Sequence, residues 1–308
     1  MKGVERMDAE KLVTGEKTGR GDKTGTGEKI TWCPGCANNA ILAAVKEALA
    51  NLEKKGVVEL KDVVAVTGIG CHAKIYDYLN ANGFYGLHGR VLPTAMGIKL
   101  GNPKLTVIGF GGDGDTYAEG IEHFIHACRY NTDFTMLVHN NQTFALTTGQ
   151  ATPTSEQGFK GASTPTGAVE QPLNPIALAL VSGATFVARA FALDVPHLTS
   201  LIEQAVQHRG FAVIDILEPC LIWHNNNTTQ FFRQHTYKLE ESDHNVFDIN
   251  EALRKAREWD YSSNEDAKIP IGVFYKEIRP TYEEQWQAKT WHAIDRKPDW
   301  KRILAGFK

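Results

Sequence analysis

The sequence of 308 residues lacks the features that mark membrane, nucleic-acid-binding and secreted proteins. No apolar run approaches the roughly 20 residues that a membrane-spanning helix needs. The 33 lysines and arginines nearly balance the 36 aspartates and glutamates, so no basic excess indicates a nucleic acid as partner. The N-terminus has no apolar core of the signal-peptide kind, and five cysteines without an export signal favour a reducing compartment. We therefore expect a cytoplasmic protein whose cysteines are thiols or metal ligands.

The first 30 residues differ in kind from the rest. Residues 14–29 read TGEKTGRGDKTGTGEK and contain no large apolar side chain. Such a segment cannot bury enough surface to offset the entropic cost of ordering it. We predict a flexible tail over residues 1–30 and a domain over residues 31–239. Residues 240–308 are predicted as an extension that packs on this domain or contacts a partner subunit.

From residue 32 onward, short apolar runs alternate with amphipathic helical patterns. Strand-like runs cover residues 63–67, 105–110, 134–139, 185–191 and 212–217, and helical patterns cover residues 40–52, 116–130, 175–181 and 197–208. This alternation is typical of an α/β fold, in which helices cover both faces of a mostly parallel sheet.

A glycine–aspartate turn follows the second of these runs, and an asparagine pair follows the third. The turn reads GDGD over residues 112–115, and 25 residues separate Gly114 from the pair at 140–141. A strand–helix–strand unit of this length returns the chain to the same sheet edge, so Asp113 and Asn141 should face one crevice. Carboxylate and amide oxygens suit Mg²⁺, and the glycines let backbone amides approach a diphosphate. The alternative is two unrelated turns.

Four of the five cysteines lie near strand ends or the start of the first helix. Cys33 and Cys36 form a CPGC sequence before that helix, Cys71 follows the first strand, and Cys220 follows the last. The residues leave four interpretations open: a redox pair at Cys33 and Cys36, a structural zinc site, an iron–sulfur cluster, or unliganded thiols. The fifth, Cys128, lies on the apolar stripe of a helix and is predicted to be a packed core thiol.

Five short motifs together resemble those of a known family. WCPGC over residues 32–36, GIGC over 68–71, LHGR over 87–90, GGDGD over 111–115 and TTGQ over 147–150 occur in the order found in the β subunit of 2-oxoacid:ferredoxin oxidoreductases. The resemblance covers about residues 31–225, which is nearly the whole predicted sheet domain. It implies the thiamine diphosphate-binding fold.

The resemblance implies an enzyme that oxidatively decarboxylates a 2-oxoacid onto coenzyme A and passes electrons through a 4Fe-4S cluster to ferredoxin. Residues 147–154 (TTGQATPT) look like the 2-oxoglutarate branch, with pyruvate as the next choice. Thiamine enzymes also need a pyrimidine-binding domain, for which this chain has no room, so we expect an α subunit as the partner in a heterodimer. A non-redox thiamine diphosphate decarboxylase or synthase subunit and a zinc-stabilised non-catalytic subunit are the alternatives.

The resemblance also implies roles for individual residues, by position. The 4Fe-4S ligands would be Cys33, Cys36, Cys71 and Cys220, and the Mg²⁺ ligands would be Asp113, Asn141 and the backbone carbonyl of Thr143. The cofactor contacts would be Ile69, Gly70, Cys71, His72, His88, Gly112, Asp113, Gly114, Asp115, Asn141, Ala145 and Leu146. Lys74 matches a basic residue that can hold the substrate carboxylate, the alternative being a solvated lysine. Leu146 is a candidate wedge for bending the cofactor, the alternative being an ordinary buried leucine.

Overall fold

A computed structural model of the chain describes residues 24–286 and 300–306. Within this part, the strands in chain order are β1 (Val63–Thr67), β2 (Asn82–Tyr85), β3 (Thr106–Gly112), β4 (Phe134–Asn140), β5 (Phe186–Phe191), β6 (Phe211–Leu217), β7 (Thr236–Lys238) and β8 (Ile269–Lys276). They form one sheet in the order β2-β1-β3-β4-β6-β5-β8-β7. All neighbours pair in parallel except β5 and β8. The predicted mostly parallel α/β fold is confirmed.

Helices cover both faces of this sheet. They are α1 (Asn38–Lys54), α2 (Val91–Gly101), α3 (Ile121–Tyr130), α4 (Pro175–Val181), α5 (Val195–Gln207), α6 (Thr229–His235), α7 (Ile249–Ala256), α8 (Tyr282–Trp286) and α9 (Trp300–Ala305). Within the described part of the chain, no helix is both long and apolar enough to cross a bilayer.

The two faces of β1 show how the core is divided. Val63 and Ala65 pack in a buried cluster with side chains of α1 and α5. Val64 and Val66 belong to a second cluster with side chains of α2, α3 and α4. Successive residues of a strand point to opposite sides of a sheet, so the two clusters lie on opposite faces. The apolar runs in the sequence are continuous because both faces are buried.

Several helices begin at a polar side chain that accepts a backbone amide hydrogen. Asp194 accepts from the amide of His197 at the start of α5, and Thr228 accepts from Phe231 at the start of α6. Asp248 accepts from two amides at the start of α7. These caps satisfy donors that have no partner within the helix, and they fix where the loops end.

The predicted strands agree with β1, β3, β4, β5 and β6 to within two residues. The predicted helix over residues 116–130 is instead two elements, a π-helical turn over Gly114–Ala118 and the α-helix α3. The edge strand β2 is short, with all four of its residues exposed, and it was missed because it lacks a buried apolar face.

The two predicted terminal segments join the domain more closely than expected. In the extension over residues 240–308, β8 pairs antiparallel with β5, so the sheet continues beyond residue 239. Of the predicted tail over residues 1–30, residues 1–23 lie outside the described part of the chain. Residues 24–30 do not form a free tail, because Thr26 donates its amide to the carbonyl of Tyr78 and Gly25 forms a bridge with Leu79.

A buried arginine joins the extension to the centre of the sheet. Arg189 on β5 is fully buried, and its guanidinium lies 5.3 Å from the ring centroids of Trp259, Tyr261 and Phe274. Its Nη2 donates to the Tyr261 hydroxyl at 2.9 Å, and its Nε lies 3.6 Å from Oδ2 of Asp215 on β6. Burial raises the pKa of Asp215, and the guanidinium opposes that rise. The pair therefore sits between the main sheet and the residues that precede β8.

Replacing this arginine tests how far the fold depends on the pair. Arg189→Met should lower the free energy of unfolding by about 3–5 kcal/mol, because it leaves a buried carboxylate without its cation. The double variant Arg189→Met/Asp215→Asn should recover part of the loss. Equilibrium urea unfolding measures both. A single variant within about 1 kcal/mol of the unmodified chain would show that the pair contributes little.

Candidate active site

A pocket opens at the carboxyl ends of β1, β3 and β4. Three loops form its walls, one after each of these strands, and His88 adds to the rim. Its lining residues are Ile69, Gly70, Cys71, His72, His88, Gly112, Asp113, Gly114, Asp115, Asn141, Thr143, Phe144, Ala145, Leu146 and Thr147. All residues predicted from the sequence as cofactor contacts are in this group, together with Thr143. Phe144 and Thr147 were not predicted as cofactor contacts, although Thr147 begins the TTGQ motif.

Asp113, Asn141 and Thr143 all line this pocket. Asp113 follows β3 directly and is 1% exposed, and burial raises its pKa to about 6. The Asn141 side-chain oxygen accepts the amide of Thr143 at 3.1 Å, which fixes the turn after β4. One carboxylate, one amide oxygen and one backbone carbonyl are suitable ligands for Mg²⁺, which completes its shell with phosphate and water. The residues present therefore fit the ion.

Gly114 lies against the Phe144 ring in this pocket. A Cβ built on Gly114 would lie 2.3 Å from that ring, so a side chain at this position would displace it. Glycine here therefore lets the backbone of the turn form part of the pocket wall beside Phe144.

The carboxylate of Asp115 holds the pocket loops together. It accepts the amide of Gly89 at 2.8 Å and lies 2.8 Å from Nδ1 of His88 and 3.5 Å from Nε2 of His72. Burial alone would raise its pKa, but the two imidazoles and the Gly89 amide outweigh burial and hold the pKa well below its usual range. Asp115 was predicted as a cofactor contact. Its carboxylate is directed at protein groups, so its main role in this structure is to join three loops.

The four predicted cluster cysteines lie near one another beside the pocket. Burial, with the nearby Glu218, Cys220 and Cys33, raises the pKa of the Cys71 thiol to about 11. Cys71 in turn raises the pKa of Cys36, after the larger effects of burial and of Glu218. All four are free thiols. Cys71 also lines the pocket, so sulfur atoms and the cofactor loops share one sheet edge.

These cysteines do not form a site for a single metal ion. In residues 24–286 and 300–306, no three histidine, cysteine, aspartate or glutamate side chains are grouped so as to hold one ion. A four-iron cluster makes a different demand, because each of its four cysteines binds a separate iron. The free, neighbouring thiols fit that group. Cys128 is fully buried in the core, as predicted.

A chain of buried polar groups connects the cysteines to the end of β4. The Asn38 amide nitrogen donates to Cys36 Sγ at 3.4 Å and to Glu218, while its oxygen lies 2.7 Å from Nδ1 of His139. Burial raises the pKa of Glu218 to about 8 and lowers that of His139 well below its usual range. None of these three residues was singled out from the sequence, because the contacts between them join distant parts of the chain.

Lys74 and Leu146 differ in how they relate to the pocket. The Lys74 ammonium donates to the carbonyl of Thr31 at 3.1 Å and lowers the pKa of Cys71, so it lies on the cysteine side and not among the pocket-lining residues. Leu146 lines the pocket and is 48% exposed. The alternative of an ordinary buried leucine is therefore wrong for this residue.

The loop after Cys220 folds over the loop after β4. The His224 ring stacks on Phe159 at a centroid distance of 5.0 Å, and Asn226 and Asn227 donate to Glu156 and Gln142. Burial lowers the pKa of His224 to about 4. These contacts hold the loop after β4 in place.

Two family models match the chain. The first describes the C-terminal thiamine pyrophosphate-binding domain of thiamine pyrophosphate enzymes and matches residues 68–216. The second describes the C-terminal part of the pyruvate ferredoxin oxidoreductase beta subunit and matches residues 220–290. The first match spans the loops that form the pocket.

The chain is also similar to curated β subunits. It is 43% identical over 279 residues to subunit beta of 2-oxoacid:ferredoxin oxidoreductase 1 from Aeropyrum pernix, with 87% of this chain and 85% of that protein covered. It is 41% identical over 280 residues to the corresponding subunit from Saccharolobus solfataricus, with 87% and 88% covered.

A solved structure has the same fold. The 2-oxoglutarate:ferredoxin oxidoreductase from Magnetococcus marinus, described with 2-oxoglutarate, coenzyme A and succinyl-CoA bound, superposes with a TM-score of 0.82 at 31% identity. The match covers 96% of this chain and 98% of the chain in that structure.

The close packing of Asp115 against the loop after β1 can be tested by substituting Gly68. A Cβ on Gly68 would lie 2.0 Å from Oδ2 of Asp115, so Gly68→Ala should destabilise the fold by about 1–3 kcal/mol. Gly97→Ala is the matched control, because a Cβ there meets nothing within 4 Å, and it should be neutral or stabilising by up to about 1 kcal/mol. Urea unfolding compares them. Equal stability of the two variants would contradict the close packing of Asp115.

The buried His224 should make the stability of the fold depend on pH. Its pKa is about 4 in the folded chain against 6.5 for the free side chain, so the unfolded chain binds more protons between these values. The contribution of this group to the free energy of unfolding is therefore fully present above pH 6.5. It is lost as the pH falls toward 4, by up to about 3 kcal/mol. His224→Phe keeps a ring on Phe159 and should show a shallower fall between pH 7 and pH 5 in urea unfolding. The same slope in both proteins would refute the assignment.

Proposed function

The chain belongs to the β-subunit family of the 2-oxoacid:ferredoxin oxidoreductases, and on that premise we propose which reaction its own residues serve. We propose that it binds thiamine diphosphate with Mg²⁺ and holds a 4Fe-4S cluster. With an α subunit, it would oxidatively decarboxylate a 2-oxoacid with coenzyme A to acyl-CoA and CO₂ and reduce ferredoxin.

The position of Cys71 carries this proposal. Cys71 lines the cofactor pocket, and its carbonyl accepts from the indole of Trp32, the residue before Cys33. Cys36 in turn donates to Glu218, two residues before Cys220. A cluster on these thiolates would lie beside the cofactor, where it could accept the electrons that oxidation releases. Among the alternatives, a non-redox subunit has no need for cysteines at this edge.

Residues of the pocket would hold the cofactor through its charged end. Asp113, Asn141 and the carbonyl of Thr143 would bind the Mg²⁺ that neutralises the diphosphate, and Gly114 would leave room for it. Thiamine diphosphate, when bound, supplies the electron sink for decarboxylation. Leu146, exposed toward the pocket, would support the bent cofactor. Asp115 would keep the loops in position through His72, His88 and Gly89.

We propose 2-oxoglutarate as the preferred substrate and Lys74 as the residue that holds its carboxylate. Similar proteins from Mycobacterium tuberculosis and Archaeoglobus fulgidus carry names that specify 2-oxoglutarate, with identities of 40% over 199 residues and 43% over 189 residues. The residues 147–154 support the same choice. Coenzyme A and ferredoxin are proposed from the names and description of the relatives.

Two variants should separate the metal site from the cluster. Chain purified without oxygen should be brown and carry about four irons. Asp113→Ala should keep the iron and lose Mg²⁺-dependent binding of thiamine diphosphate, measured by calorimetry. Cys220→Ala should lose or degrade the cluster and keep cofactor binding. Cys128→Ala is the matched control for the cysteine change, because Cys128 is a buried core residue, and it should keep its iron.

Three results would contradict the proposal. Colourless chain that carries zinc would indicate a structural metal site. Colourless, metal-poor chain that still binds thiamine diphosphate would indicate a non-redox subunit. Unchanged cofactor binding in Asp113→Ala would remove that residue from the Mg²⁺ site.

A further inference from the structure

The hydroxyl of Thr154 is directed at the end of β3. Thr154 is fully buried, and its Oγ1 donates to Oδ2 of Asp113 at 2.7 Å. The same oxygen lies 3.0 Å from Oδ1 of Asn140, the last residue of β4. Thr154 comes from the loop after β4, so this contact joins that loop to the ends of two neighbouring strands.

The hydroxyl cannot serve both acceptors equally. A threonine hydroxyl has one hydrogen, and a carboxylate is a stronger acceptor than an amide oxygen. The hydrogen therefore goes to Asp113. This bond holds Oδ2 of the carboxylate, and Asp113 at the same time lines the pocket.

The backbone around Thr154 is held by its neighbours. The Gln142 side chain donates to the carbonyl of Thr154 at 2.6 Å, and the Ser155 hydroxyl donates to the carbonyl of Gln142 at 2.7 Å. Gln142 itself has a φ of 55°, a left-handed conformation that few residues adopt without support. The turn that presents the hydroxyl is thus fixed from both sides.

Asn140, the second contact of Thr154, is itself held by a hydrogen bond to Asp215. The Asn140 amide nitrogen donates to Oδ1 of Asp215 at 3.0 Å, which turns its oxygen toward Thr154. The hydroxyls of Tyr117 and Tyr261 also donate to Asp215, at 3.1 Å and 3.2 Å. Tyr261 precedes β8, so a continuous series of polar contacts runs from the C-terminal part of the sheet through Asp215 and Asn140 to Thr154.

We propose that Thr154 is a positioning residue for Mg²⁺ binding, which fixes the Asp113 carboxylate with one oxygen bonded to the protein and the other available to the metal. This inference deepens the proposed function and rests on its Mg²⁺–thiamine diphosphate site. Groups that orient a metal ligand typically account for a factor of about 10 to 100 in metal affinity. Without the hydroxyl, the carboxylate would lose its partner and turn within the pocket.

The test is Thr154→Val, which keeps the shape of the side chain and removes the hydroxyl. The Mg²⁺ concentration needed for half-maximal binding of thiamine diphosphate to the full chain, measured by calorimetry, should rise by about 10- to 100-fold. Thr154→Ser keeps the hydroxyl and should bind within about threefold of the unmodified chain. Thr164→Val is the matched control, since Thr164 lies in the same loop and bonds to the carbonyl of Phe159, and it should not change binding.

The outcomes separate this inference from the proposed function. Failure of the unmodified chain to bind thiamine diphosphate with Mg²⁺ would overturn the proposed function itself. Normal Mg²⁺ dependence in folded Thr154→Val would overturn only the role of Thr154. Loss of Mg²⁺ affinity in Thr154→Ser would also overturn it, because the methyl group would then matter and not the hydroxyl. Should Thr154→Val fail to fold, Thr154→Ala, which also lacks the hydroxyl, gives the same comparison.

Discussion

The site depends on the common direction of four neighbouring strands. Because β1, β3, β4 and β6 pair in parallel, their carboxyl ends meet at one edge of the sheet. The loops after these strands bring Cys71, Asp113, Asn141 and Cys220 to that edge from distant parts of the chain. Cys71 and Cys220 are far apart in sequence, and a helix separates Asp113 from Asn141. The fold therefore places the cofactor pocket next to the group of thiols, and Cys71 belongs to both.

Burial acts to raise the pKa of each of the four carboxylates near this edge. The groups that oppose this effect differ from one carboxylate to the next. The imidazoles of His72 and His88 keep Asp115 ionised, and the guanidinium of Arg189 opposes the rise at Asp215. Burial outweighs the hydrogen bonds that Asp113 receives from two threonine hydroxyls and a backbone amide, none of which is a cation, and its pKa is about 6. Glu218 has no cation beside it, and its pKa of about 8 keeps it mostly protonated at pH 7 next to Cys36. Carboxyl groups at one edge of the sheet thus differ in pKa because their neighbours differ.

Much of the fold was predictable because both faces of the sheet are buried, which makes strands such as β4 continuous apolar runs. The spacing of Asp113 and Asn141 was informative for the same reason, since a helix of fixed rise must return the chain to the next strand. The edge strand β2 has no such signal, and β8 lies in a segment with a polar composition. Thr154, Asn38 and Asp215 could not be assigned from the sequence, because their roles come from side chains far away in the chain. Asp115 shows the opposite case: its motif was recognised, but the direction of its carboxylate depends on the loops around it.

Diffraction at the iron absorption edge from crystals grown without oxygen, with thiamine diphosphate and Mg²⁺ present, would show whether the four cysteines hold iron beside the cofactor pocket. We expect one compact iron peak enclosed by Cys33, Cys36, Cys71 and Cys220, with the diphosphate at Asp113 on the same edge of the sheet. An iron peak elsewhere, no iron peak in brown crystals, or a diphosphate bound away from Asp113 would contradict it.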